Sequence, residues 1–294
     1  MNQKKKYAVI GGDTRLYYTA LHLSSLGLPV LYAGSELLEK DSKTFSETDL
    51  ITALQADTLI FGLPFSKNGE LLNTPFSKHP ITIKTVIENI SKKQRIIAGM
   101  LSPAAEASLR EKGAEIIDYY KDMPLILYNA MLTAEALTGI LISKLPCALF
   151  GADIAITGYG RIGFYLARSL KTMGANITVF ARHPVQRAKA RTVGISAKPI
   201  DILKNEKECF RALVNTVPSR IIRENELGNL NPNCLLIEAA GAPYGIDADA
   251  AAKLGMNYFL ASGLPGKYAP ESAGRFIAET ILRIEREVTN HASP

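Results

Sequence analysis

Gly158-Tyr159-Gly160-Arg161-Ile162-Gly163 has the spacing of a turn that cradles a pyrophosphate. The first glycine permits a tight bend and the second lets the backbone approach the phosphates. The third lets the following helix pack against the strand. The anion then rests on a helix N-terminus, where free N–H groups and the helix dipole favour negative charge. The residue about 20 positions beyond the first glycine selects the dinucleotide. A carboxylate there accepts from a free ribose 2′-OH, whereas a guanidinium grips a 2′-phosphate. This chain offers Phe180-Ala181-Arg182-His183, and no Asp or Glu occurs from Thr178 to Ala190. Ala181 and Arg182 therefore point to NADP in preference to NAD, with Arg161, Arg187 and Lys189 as neighbouring cations. Thr216-Val217-Pro218 ends a later apolar run, as a turn expected over the nicotinamide side.

Those residues need a strand, a helix and a second strand to hold them. Asp153 to Thr157 reads as the first strand, Phe164 to Met173 as a helix stopped by Gly174, and Asn176 to Phe180 as the second strand. Further strands are expected at Cys209 to Asn215, Cys234 to Glu238 and Asn257 to Leu260. The amino-terminal half repeats the alternation: strand Tyr7 to Ile10, a helix through Leu26 closed by Gly27, and strand Pro29 to Tyr32. Strands Thr58 to Phe61 and Arg95 to Ala98, helix Pro103 to Lys112 and strand Ala114 to Ile117 complete it. Glu36 to Asp49 reads as a polar loop or frayed helix. Such alternation predicts an α/β chain of two doubly wound Rossmann-like domains with parallel sheets. The expected divisions are a first domain at 1–123, a long interdomain helix at 124–147, the dinucleotide domain at 148–268, and a returning C-terminal helix at 269–294.

The first half lacks the phosphate fingerprint, because Gly11-Gly12-Asp13-Thr14-Arg15 puts a carboxylate where a pyrophosphate would approach. Two readings stay open there. Asp13 or Thr14 caps the helix, or Asp13 and Arg15 face a ligand at the carboxyl ends of the strands.

Composition narrows the classes. The chain has 294 residues, 47% hydrophobic and 21% charged, with a formal charge of +6. That is a globular composition with room for two cores. The charge lacks the clustered basic face of a nucleic-acid binder and fits small anionic ligands. Cys147, Cys209 and Cys234 are odd in number and widely spaced, which predicts neither a disulfide framework nor a zinc site and suits a reducing cytoplasm. Leu125 to Leu145 is apolar but carries Asn129, Glu135 and Lys144, and is read as a buried helix, not a membrane span. No Arg lies between Arg223 and Tyr268 and no His between His183 and His291. Reduction of a 2-oxo acid needs such groups to polarise and protonate the ketone, so a lactate-type reaction is disfavoured. No metal constellation and no G-x-S-x-G elbow occurs.

Taken together the chain resembles the A subunits of dipicolinate synthase. The likeness rests on Gly11-Gly12-Asp13 with Arg15, on Tyr128-Asn129 with Thr133-Ala134-Glu135, and on the glycine fingerprint with Ala181-Arg182. It also rests on Asn215-Thr216-Val217-Pro218 and on Gly263-Leu264-Pro265-Gly266 with Ala269-Pro270 and Ala273-Gly274. Leu132, Ala136 and Ala242 to Gly245 depart from the pattern. The resemblance implies NADP-linked oxidation of dihydrodipicolinate to dipicolinate during sporulation, in the mother-cell cytoplasm, with a flavoprotein B subunit as partner; self-association is compatible with it. Such a reaction makes an aromatic ring, so positioning, a hydride acceptor and a base suffice. Glu135 is the candidate base, with Asn129 and Thr133 orienting. Asp13, Arg15, Ser262, Gly263 and Lys267 are candidate substrate contacts. An oxidoreductase acting on another small carboxylate, and a non-catalytic NADP-binding protein, are the alternatives.

Overall fold

A computed structural model describes residues 5–39, 45–205 and 209–291, with side chains as far as 287. It divides into two compact units, Met1–Tyr128 with Ala269–Pro294, and Asn129–Tyr268.

In the first unit the chain runs β1 (Tyr7–Ile10), α1 (Thr14–Ser25), β2 (Val30–Ala33), β3 (Ser46–Glu47), α2 (Leu50–Ala53), β4 (Thr58–Phe61), α3 (Ile83–Asn89), β5 (Arg95–Ala98), α4 (Pro103–Glu111) and β6 (Glu115–Asp118). All pairs are parallel, in the order β3-β2-β1-β4-β5-β6. Side chains alternate across a strand, so Ala8 and Ile10 enter one core and Tyr7 and Val9 the other. Both faces of the central strands are covered, which is why β1 and β2 are apolar throughout. Of the polar stretch 36–49, residues 40–44 lie outside the described residues, and Ser46–Glu47 pairs with β2 as a short edge strand instead of forming a loop.

α5 (Met123–Lys144) begins in the first unit and runs into the second. By length and composition it could cross a membrane, yet it is a core helix: Leu125 is buried in the first unit, and Leu137, Ile140 and Leu141 in the second. The second unit continues with β7 (Asp153–Thr157), α6 (Arg161–Thr172), β8 (Asn176–Ala181), α7 (Pro184–Thr192), β9 (Ser196–Pro199), β10 (Ala212–Asn215), α8 (Glu224–Leu227), β11 (Leu235–Glu238), α9 (Ala248–Lys253), β12 (Tyr258–Leu260) and α10 (Leu264–Tyr268). Its parallel sheet has the order β12-β11-β10-β7-β8-β9, so every strand delivers its carboxyl end to one edge. α6 begins at Arg161, earlier than its apolar spacing alone suggests, because Gly160 is already its N-cap.

α11 (Pro270–His291) belongs to the first unit and packs along α1. The crossing is close. A Cβ at Gly274 would lie 2.4 Å from the Arg15 carbonyl oxygen, and the Thr19 hydroxyl donates to the Gly274 carbonyl at 3.0 Å. Arg95 pairs with Glu285 at 2.9 Å and fastens the helix to β5.

Candidate cofactor site

The glycine turn joins β7 to α6. Gly158 has φ +88, a conformation open to glycine, and a Cβ there would stand 2.7 Å from the Thr216 hydroxyl. At Gly163 a Cβ would lie 2.3 Å from the Gly158 carbonyl, so helix and turn are in contact. A Cβ at Gly160, by contrast, would meet nothing within 4 Å. That glycine therefore borders open space at the N-terminus of α6, the space a pyrophosphate requires. Gly160 caps the helix without a side-chain hydrogen bond, so no side chain of the cap covers the helix end.

A cleft of about 430 Å³ opens at this edge, walled by Gly158, Gly160, Arg182, Thr216, Val217 and Pro218, with Ala181 at its back. The Thr216 hydroxyl donates to the Thr157 carbonyl at 2.8 Å, tying the β10 turn to the end of β7. Arg187 donates to the carbonyls of Ala181 (2.8 Å) and Arg182 (2.7 Å); it braces the turn after β8. Arg182 is exposed at the cleft mouth, 3.3 Å from the His183 ring. Among its described lining residues the cleft has no carboxylate. The geometry fits a dinucleotide. When bound, that group would accept or release the hydride. The glycine turn would hold its phosphates, and the mouth of the cleft would hold its ribose.

Two fingerprint residues face elsewhere. Tyr159 is 5% exposed and packs edge-to-face on Phe164, so only its backbone borders the turn, and Ile162 packs against the same core. Arg161 opens α6 and is exposed.

Under the cleft lies a network that the sequence pattern does not announce. Glu238, at the end of β11, is fully buried. Its Oε1 accepts from Asn215 Nδ2 (2.7 Å) and Ala240 N–H (2.9 Å), and its Oε2 from the N–H groups of Gly245 and Ile246 (both 2.8 Å). Four donors replace the water that a buried carboxylate loses. Asn215 in turn accepts from the Thr157 hydroxyl at 2.6 Å and from Val217 N–H at 3.1 Å, and donates to the Val217 carbonyl at 3.0 Å. The ends of β7, β10 and β11 are thus locked together, and the Thr216–Pro218 turn is held in shape. One signal was available: a glutamate closing the otherwise apolar run Leu235-Leu236-Ile237.

The candidate substrate and catalytic residues fall into three places. Ser262, Gly263 and Lys267 meet at one exposed turn after β12, where Gly263 has φ +64 and the Lys267 stem passes beside it. On α5 the Thr133 hydroxyl donates to the Asn129 carbonyl at 2.7 Å. Asn129 is 8% exposed, and its Nδ2 has no hydrogen-bond partner among the described residues. Glu135 is exposed, and two residues beyond Thr133 a helix has turned about 200°, so the two do not share a face. The expected trio is therefore a pair with Glu135 apart.

Asp13 and Arg15 lie in the first unit, and Arg15 requires a correction. Arg15 is 8% exposed, and its guanidinium is held by the Asp13 carboxylate through Nε at 2.9 Å and Nη2 at 2.7 Å, with a further bond to the Leu63 carbonyl at 2.6 Å. Asp13 also caps α1 through Arg15 N–H. A buried cation already paired in this way is not a free anchor for a substrate carboxylate. Its role in this structure is to fasten the β1 turn to the segment after β4.

Comparisons with known proteins agree with this geometry. Residues 6–120 match the N-terminal domain of the dipicolinate synthase A subunit, and residues 142–254 match the NAD binding domain of the D-isomer specific 2-hydroxyacid dehydrogenases. The A subunit of dipicolinate synthase from Bacillus subtilis (strain 168) is 26% identical over 286 residues, 96% of each chain. Two solved structures superpose with a TM-score of 0.85. They are the A subunits of dipicolinate synthase from Bacillus subtilis (25% identical, 99% of both chains) and from Bacillus halodurans (24% identical, 97% of this chain and 98% of that one). Over 96% of its length this chain is similar to a dipicolinate synthase A subunit, and it is an NAD(P)-dependent oxidoreductase whose two halves match an N-terminal domain of that kind and a dehydrogenase-type NAD-binding domain.

Proposed function

We infer that this chain is the NADP-linked dehydrogenase component of a dipicolinate synthase and oxidises dihydrodipicolinate to dipicolinate. The observation that carries the cofactor choice is a carboxylate-free cleft with Arg182 at its mouth, where a free ribose would call for an Asp or Glu. A 2′-phosphate there gains a guanidinium partner and meets no repulsion. The substrate choice rests on likeness to proteins of that name along the full chain.

The oxidation removes one hydride and one proton from the ring. Bound NADP would supply the hydride acceptor, and aromatisation supplies driving force, so this chain's residues have mainly to orient the ring. The unpartnered Nδ2 of Asn129, buried in this structure, is the donor proposed to meet a substrate oxygen once the ligand enters. The Thr133 hydroxyl, whose proton is spent on the Asn129 carbonyl, offers lone pairs as an acceptor. Ser262, Lys267 and the backbone at Gly263 hold one carboxylate, while Asp13 frames the first unit's turn. The ring proton leaves to solvent water, since Glu135, the expected base, lies on another face of α5.

A flavoprotein B subunit is the proposed partner, in the cytoplasm of a sporulating mother cell, where the free thiols of Cys147, Cys209 and Cys234 suit a reducing compartment. The separation of Glu135 from Asn129 and Thr133 favours a second reading, in which this chain binds NADP and the partner carries the chemistry. Single-turnover assays with dihydrodipicolinate and NADP, with and without the flavoprotein, decide between them. Dipicolinate absorbance from this chain alone supports catalysis here. Product formed only with the partner supports the second reading, and no product in either mixture contradicts both.

A further inference from the structure

We propose that the first unit carries its own anion site, a basic pocket at the carboxyl edge of its sheet that takes a small dicarboxylate. The proposal rests on the proposed function only for its choice of dicarboxylate.

Both sheets wind outward from a central pair, β1 and β4 in the first unit, β7 and β10 in the second. Ligands of open α/β sheets bind at that switch point, outside the carboxyl ends of the strands. In the second unit this is the cofactor cleft. In the first, the corresponding turn is covered by the chain itself. Gly12 N–H donates to the Asn73 carbonyl at 2.9 Å, and a Cβ at Gly11 would lie 2.2 Å from the Thr74 methyl. The N–H that a pyrophosphate would use is already taken, so no second dinucleotide fits at the glycines.

The covering segment, residues 62–82, is fixed. Phe65 N–H donates to the Gly99 carbonyl (2.7 Å), Asn73 N–H to that of Phe65 (2.9 Å), Leu72 N–H to that of Ile81 (2.8 Å) and Ile83 N–H to that of Glu70 (2.8 Å). Asn68 Oδ1 accepts from Glu70 and Leu71 N–H, which closes the tip.

This segment forms a pocket of about 450 Å³, within the range of small-molecule sites. Lys67, Lys78 and His79 line it with Asn68, Asn73 and Thr74, and none of its described lining residues is acidic. The side chains of Lys67, Lys78 and His79 have no ion-pair partner among the described residues. Glu36, outside the lining, accepts from Lys78 N–H at 3.1 Å and places one negative charge beside the pocket. Two ammonium groups around one concavity repel each other, and a dianion relieves that repulsion where a monoanion does so only in part, while the His79 imidazole can add an N–H donor. A hydrogen bond to a charged group exceeds the 1.4 kcal/mol that corresponds to tenfold in affinity. Solvent screening at these exposed groups reduces that gain.

The test uses the full-length chain without cofactor, titrated calorimetrically with pyridine-2,6-dicarboxylate, glutarate and inorganic phosphate. Lys67→Gln/Lys78→Gln and His79→Gln are compared with Lys92→Gln and Lys267→Gln, and thermal melting reports whether each variant is folded. The proposal predicts that a dicarboxylate binds the parent, that the double variant weakens it at least about tenfold, that added salt weakens it too, and that NADP affinity and the Lys92→Gln control are unchanged. Glutarate binding that the double variant removes, without any binding of the pyridine dicarboxylate, upholds the site and contradicts the proposed substrate. Phosphate binding alone, no anion binding, or dicarboxylate binding that follows Lys267 and ignores Lys67 and Lys78, overturns the site.

Discussion

Gly160 offers the sharpest separation of fold from function, because its neighbour three residues on has the opposite surroundings. In Gly160→Val the new Cβ enters space with no protein atom within 4 Å. The backbone there, φ −80 and ψ −158, is extended and accessible to valine. The cost to folding is then that of a poorer helix cap, about 0.5–1 kcal/mol. The branches occupy the position of the cofactor pyrophosphate, and loss of two or more charge-assisted backbone contacts weakens binding by about 3 kcal/mol or more, over a hundredfold. Gly163→Val reverses the pattern. Its Cβ would stand 2.3 Å from the Gly158 carbonyl, so α6 must shift from the turn at a cost of about 1–3 kcal/mol or more. Circular dichroism melts with cofactor fluorescence titrations read both quantities. A folded Gly160→Val protein with parental affinity for NADP would refute the phosphate-turn assignment. A Gly163→Val protein as stable as the parent would refute the packing argument.

Arg182→Asp is expected to weaken NADP by about 2–4 kcal/mol through lost contact and added repulsion, while NAD binding holds or improves; competition titrations with both cofactors check this. Arg15→Ala removes a buried partner of Asp13 and a bond to Leu63. Asp13 is about a third exposed, which discounts the loss to about 1–3 kcal/mol of first-unit stability in chemical denaturation, with little direct effect on dicarboxylate affinity. Glu238→Gln sets an amide against N–H donors, so stability should fall by about 2–4 kcal/mol and NADP affinity with it, as the Thr216–Pro218 turn loosens. Burial pushes the Cys234 thiol up to about 12, so it stays protonated at mildly alkaline pH. Alkylation should then modify exposed Cys147 and Cys209 in the native protein and reach Cys234 only on unfolding, as mass spectrometry can show.

The second unit was legible because its signals are local. A short apolar strand, three glycines at fixed spacing and an amphipathic helix lie within about 20 residues, and Arg182 ends the next strand. Glu238 was not legible. Its four donors come from Asn215, Ala240, Gly245 and Ile246, and sequence spacing does not reveal that a loop returns on itself to reach one carboxylate. Arg15 was misread for a related reason. Beside Asp13 at the end of a strand, a free cation and a buried ion pair look alike, and the deciding partner is the Leu63 carbonyl, 48 residues away. Asn129 and Thr133 share a helix face by spacing alone, whereas grouping Glu135 with them disregarded the two-residue offset. Residues 62–82 carry no sequence signal of their form, because backbone hydrogen bonds, not side-chain pattern, shape that segment.

NADP-linked oxidation of dihydrodipicolinate is tested by following both products in one cuvette. Purified chain, with and without the flavoprotein partner, is mixed with substrate and either NADP or NAD while dipicolinate and reduced cofactor are recorded together. Equal amounts of dipicolinate and NADPH are expected, with NADP favoured over NAD by at least about tenfold, a 1.4 kcal/mol preference. Dipicolinate appearing without stoichiometric NADPH, or equal turnover with NAD, would contradict it.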